Sequence, residues 1–226
     1  MIGLGILLLV AGLSFFGFYR NFFARERIKM GAAFLFIILF TFGAILPQIE
    51  ISRNFSFNIG GFIVPLVFFV FIMAVTNARK SMLKFTLSFF LIMSVSVLVL
   101  AFMPRNVGFT ILSVVVLGIA VAILAFLITG EGSVTMASVA FGVVLGNVIS
   151  SVILYAQREN PVSLGTNGVF DTIIFGIVLG CALVEIRKYL KRRRDLKAVN
   201  IRELQFEMAA DSYIVPVVED EFGKHF

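Results

Sequence analysis

Long apolar blocks separated by short polar connections constrain this chain more than anything else in its sequence. Seven blocks, at about residues 2–19, 30–46, 59–75, 85–103, 109–128, 134–155 and 169–186, take up most of its 226 residues. A helix needs roughly 20 mainly apolar residues to cross a hydrocarbon core about 30 Å thick. Composition agrees: 60% of residues are apolar and 14% charged, where soluble domains hold about 45–50% and about 25%. Backbone groups in lipid must be satisfied within their own segment, so each block is expected to be a helix. The short alternating segments of a β-barrel are absent. The expected fold is an all-α polytopic transmembrane helix bundle of about seven spans, residues 1–186, followed by a tail at 187–226.

Charge sets the expected orientation. The first block lacks a basic segment before it and a small-residue cleavage site after it, so it reads as a span and not as a signal peptide. Its basic residues follow it: Arg20, Arg25, Arg27 and Lys29. The third connection carries Arg79, Lys80 and Lys84, and the tail opens with seven more basic residues. The alternate connections hold one arginine each, Arg53, Arg105 and Arg158. By the positive-inside rule the N-terminus is expected outside and the tail in the cytoplasm, in the cell membrane of a prokaryote.

The scarcity of reactive residues excludes several chemistries. Cys181 is the single cysteine, His225 the single histidine, and tryptophan is absent. No His/Cys metal site and no histidine-dependent hydrolase fits the apolar blocks. No phosphate-binding loop is present either. Neither a catalytic residue nor a cofactor or metal is assigned.

Candidate binding residues cluster at the expected outer ends of three helices. Arg53 precedes Asn58-Ile59-Gly60-Gly61; Arg105 precedes Asn106-Val107-Gly108; Arg158 precedes Asn167-Gly168. Asparagine caps helices and glycine allows close approach. Helix N-termini present free N–H groups that suit a phosphate or carboxylate. Asp171 is an acid within a block, and Asn147 is a polar residue deep within another. Such groups are candidates for function or for helix–helix hydrogen bonding. Pro65 marks an expected kink in the third block. Gly142 with Gly146, and Gly176 with Gly180, have the four-residue spacing of close helix packing.

The tail has two parts. Arg187, Lys188, Lys191, Arg192, Arg193, Arg194 and Lys197 face one acid in residues 187–197. This stretch is expected to meet anionic lipid at the inner leaflet; nucleic acid is not an expected partner. Residues 198–226 hold six acids against Arg202 and Lys224. Their Tyr213-Ile214-Val215-Pro216-Val217-Val218 segment is a candidate strand for a protein partner.

With these residues in view, the chain resembles a prokaryotic multi-pass membrane family of unknown function (domain of unknown function 1614). The resemblance rests on Asn58-Ile59-Gly60-Gly61-Phe62-Ile63-Val64-Pro65, on Asn106-Val107-Gly108-Phe109, on Ala140 through Asn147, and on Thr166 through Ile173. It covers about residues 42–185. It implies a multi-pass fold with no established activity. Asn147 stands where the family pattern has aspartate, which departs from a paired-carboxylate intramembrane protease.

Three functional readings follow. One is binding or transport of an anionic lipid or small anion, with a homodimer compatible with the few spans. The second is a membrane scaffold acting through the tail. The third is an intramembrane aspartyl protease-like activity, disfavoured by Asn147.

Overall fold

A computed structural model describes residues 5–10, 20–76, 80–102, 107–158, 162–165 and 168–212. Residues 5–10 are helical. Then come α1 (Arg20–Arg25), α2 (Met30–Ile45), β1 (Ile49–Ser52) and β2 (Phe55–Phe57). A π-helical turn, Ile59–Ile63, runs into α3 (Val64–Val75). The order closes with α4 (Met82–Phe102), α5 (Val107–Thr129), α6 (Gly132–Arg158), β3 (Val162–Leu164) and α7 (Val169–Ser212). The chain divides into two compact units, Met1–Glu185 and Ile186–Phe226.

The first unit is a helical bundle, as the apolar blocks require. Among the described residues, four helical stretches are long and apolar enough to cross a membrane: Met82–Phe102, Ile111–Thr129, Gly132–Ala156 and Val169–Asp195. Met30–Ile45 and Ile59–Val75 are apolar but shorter. At about 1.5 Å per residue, the 16 residues of α2 reach only about 24 Å. Of the expected span at 2–19, residues 5–10 alone are described.

α6 is the centre of the bundle. Two thirds of its apolar stretch (67%) is buried, against 33% for α4. Small residues let α4 and α6 approach closely. Ser88 donates to Ser138 at 3.1 Å. A Cβ on Gly142 would lie 2.7 Å from Ile92 Cγ2, and one on Gly146 would lie 2.5 Å from Ser96 Cβ. The second glycine pair acts likewise on α7: Gly176 packs on Val121 and Val139, and Gly180 on Thr135. Phe69 stacks on Phe141 at 4.3 Å, filling the space between α3 and α6.

The sequence reading placed loops where the structure has a small sheet. β1 and β2 form an antiparallel hairpin, and β3 joins β2 in parallel, in the order β1-β2-β3. Phe55, Ser56 and Phe57 pair with Val162, Ser163 and Leu164. The sheet ties the connection between α2 and the π turn to the connection between α6 and α7. Strands of three and four residues leave no periodicity to detect.

The second unit begins at Ile186, within α7. The side chains of Arg187, Lys191, Arg192, Arg193 and Arg194 are exposed, and Lys188 is half-buried. The Arg193 guanidinium sits 5.3 Å from the centre of the Tyr189 ring. The candidate strand at 213–218 lies outside the described residues.

Candidate functional site

At the sheet end of the bundle, the predicted residues are engaged with backbone. Asn58 caps the π turn: its Oδ1 accepts the Gly61 N–H at 2.9 Å. Its Nδ2 donates to the Leu46 carbonyl at 3.4 Å, and its own N–H donates to Leu164 at 2.9 Å. Gly60 lies against Gly43 of α2, where a Cβ would stand 2.4 Å from the Gly43 carbonyl carbon. Gly61 lies against Gly165, where a Cβ would stand 2.0 Å from the Gly165 carbonyl oxygen. Gly165 itself has φ +71°, a left-handed conformation that favours glycine. Asn147 completes the arrangement. It is 4% exposed, and its Oδ1 accepts the Gly165 N–H at 2.8 Å.

These residues form a clamp in which backbone meets backbone across the π turn. Arg53 lies in the exposed turn between β1 and β2. Arg158 closes α6. Arg105, Asn106 and Asn167 lie outside the described residues. Asp171 occupies the first turn of α7 and is half-buried. Pro65 sits in the first turn of α3, where its missing N–H costs nothing, and the irregularity is the π turn just before it.

The opposite, basic end of the bundle holds a second constellation, which the sequence reading treated as topology signals. Lys84 pairs with Glu131 at 2.8 Å, and Ser81 donates to the same carboxylate at 2.9 and 3.0 Å. Arg25 pairs with Glu185 of α7. Glu26 is buried and accepts the Ser133 N–H at 2.9 Å, capping α6. Carboxylates near helix N-termini are favourable because of the free N–H groups and the helix dipole. Among the described residues, Arg27 and Lys29 take part in no ion pair, and both are exposed.

Next to these two cations an apolar cleft of about 100 Å³ opens between residues 5–10, α1 with the turn after it, α2, α3, α6 and α7. Phe23, Ile28, Phe36, Phe71, Met136 and Ile177 are among its walls, and its lining is wholly apolar. A shallower pocket beside it is lined by Phe23, Ala24, Arg27, Ile28, Lys29 and Met30. The two share Phe23 and Ile28. These two side chains therefore stand between the apolar cleft and the exposed cations. No cluster of three or more metal-binding side chains occurs among the described residues.

The fold and this surface define a multi-pass membrane protein made of apolar α-helices. The family described as Protein of unknown function (DUF1614) matches residues 23–183. The chain belongs to this family. No curated protein and no solved structure matches the chain. The matched stretch includes the clamp, Glu26, Arg27 and Lys29, and it ends before the basic tail.

Proposed function

We propose that the protein binds an anionic phospholipid, with an acyl chain in the apolar cleft and the headgroup at Arg27 and Lys29. The observation that carries this reading is the shared wall: Phe23 and Ile28 line both the cleft and the basic pocket. An occupant matching both halves needs a hydrocarbon part and a negative part a few ångströms apart. A phospholipid of the leaflet nearest the basic end meets that description. Under the expected orientation this is the cytoplasmic leaflet.

Charge gives the expected selectivity. A basic residue near an anionic membrane surface contributes about 1 kcal/mol. Arg27 and Lys29 together then favour an anionic over a zwitterionic lipid by about 2 kcal/mol, roughly 30-fold in affinity. The outer-face anion site fits less well, because Asn58 and Gly61 already satisfy each other. Apolar lining without an acid also offers nothing to an aspartyl protease mechanism.

Thermal unfolding of the purified protein in neutral detergent tests the proposal. Phosphatidylglycerol is expected to raise the midpoint at lower concentration than phosphatidylcholine, because a ligand of the folded state stabilises it by mass action. Arg27→Ala with Lys29→Ala is expected to bring the two lipids to the same half-maximal concentration. The effect of the wild-type cations is expected to weaken with added salt. Equal responses to both lipids in the wild-type protein would remove the reading.

A further inference from the structure

We infer that Glu26 is a positioning residue for the lipid headgroup: by capping α6 it holds the turn that presents Arg27 and Lys29. The inference rests on the lipid reading above and adds the device that sets its selectivity.

The turn is fixed from two sides. Glu26 is 9% exposed, and its Oε2 accepts the Ser133 N–H, 107 residues further along the chain. Gly132 leaves the space for it: a Cβ there would lie 2.9 Å from Glu26 Oε1 and 2.9 Å from Phe22 Cε2. One residue earlier, Arg25 pairs with Glu185. α6 and α7 thus hold adjacent residues of the same turn.

The residue that follows is itself held by the left-handed cap that ends α1. Arg27 has φ +62°, in the left-handed region that residues with a Cβ rarely adopt. Such a conformation persists where the surroundings over-determine it, and it concentrates at ligand sites. Here the turn is closed by Glu26 N–H to Phe22 O, Arg27 N–H to Ala24 O and Ile28 N–H to Phe23 O, at 3.0, 3.1 and 2.8 Å. The reversal at Arg27 lets Phe23 and Ile28 line the cleft while Arg27 and Lys29 stay at its mouth. A cap that served only stability would leave the neighbouring cations free of any such constraint. Without the acceptor at Glu26, the turn loses its tie to α6, and the two charges are no longer held against the cleft.

The experiment uses the full chain in neutral detergent. Phosphatidylglycerol and phosphatidylcholine are titrated against the wild type, Glu26→Met and Glu26→Gln, reading the concentration of each lipid that gives half the maximal midpoint shift. Methionine matches the length of glutamate in a buried position but accepts no comparable hydrogen bond; glutamine keeps an oxygen for the Ser133 N–H. Glu26→Met is expected to lower the preference for phosphatidylglycerol at least tenfold, and Glu26→Gln to keep it within about threefold of wild type. If Glu26→Met yields no folded protein, Ser133→Pro removes the donor instead, at a first-turn position that tolerates proline. Wild-type selectivity in Glu26→Met or Ser133→Pro would overturn the inference and leave the lipid reading standing. Loss of selectivity in Glu26→Gln would overturn the capping role. Absence of selectivity in the wild type would instead remove the lipid reading itself.

Discussion

Gly61→Ala is expected to lower the thermal midpoint by about 10 °C or more, or to prevent recovery of folded protein. The added methyl would stand 2.0 Å from the Gly165 carbonyl oxygen and 2.7 Å from its carbon. Overpacking against side chains typically costs about 1–3 kcal/mol, since side chains can turn aside. The obstacle here is backbone, and that backbone is held by Asn147 on one side and by β3 on the other. A cost of about 4 kcal/mol is therefore expected, at the upper end for single substitutions. For a protein of this size that corresponds to a shift of about 8–16 °C. Gly31→Ala provides the contrast. A Cβ on Gly31 meets nothing within 4 Å, so that change is expected to leave the midpoint unchanged or slightly raised. Thermal unfolding of both variants in one detergent decides the matter. A Gly61→Ala midpoint within about 2 °C of wild type would contradict the clamp.

Asn147→Leu is expected to have the next largest effect, about 3 kcal/mol. The substitution nearly conserves volume but removes the acceptor of the Gly165 N–H. A buried donor left without a partner costs about 1–3 kcal/mol. Leucine branches where the amide is planar, which adds some strain against the neighbouring loop. Gly165 needs its left-handed conformation to pass Gly61, so loosening it also loosens the π turn. The check is again the midpoint, supplemented by protease digestion at the connection between α6 and α7. That connection is expected to be cut faster in Asn147→Leu than in wild type, while the wild-type pattern at both places would contradict the role given to Asn147.

The bundle was legible in the sequence because burial in lipid leaves a strong, local mark. Runs of apolar residues announced five of the helices within a few residues of their observed ends and the start of α7, which continues to Ser212, well past the end of its apolar block. The spacing of Gly142 with Gly146 and of Gly176 with Gly180 announced two close contacts, since small residues four apart fall on one helix face. Asn58 was legible as a cap, and it caps the π turn. Less could be read of what Asn58, Gly60, Gly61 and Asn147 do together. Their partners are Gly43, Leu46, Leu164 and Gly165, distant in the chain and brought near by strands too short to show a pattern.

The basic end was misread in emphasis for a similar reason. Arg25, Arg27 and Lys29 look alike in sequence and were counted together as a topology signal. In the structure Arg25 is neutralised by Glu185, while Arg27 and Lys29 are exposed beside an apolar cleft. Glu26 carries no mark in the sequence, because the Ser133 N–H that it accepts is backbone, and any residue with a free amide at a helix start would serve. Walls of the cleft come from six separate segments, and no single stretch of sequence marks it.

The most direct measurement uses the absence of tryptophan from the chain. Phe36→Trp places a single fluorophore in the wall of the cleft. Leu98→Trp places one on α4, where the leucine is 57% exposed. Each variant is titrated in neutral detergent with lipids brominated on the acyl chain, once with an anionic and once with a zwitterionic headgroup. Quenching at Phe36→Trp is expected at roughly 30-fold lower concentration of the anionic lipid, from about 1 kcal/mol for each of two cations. Leu98→Trp is expected to show no headgroup preference. Equal quenching by both lipids at Phe36→Trp, or the same preference at both positions, would contradict a lipid site in the cleft.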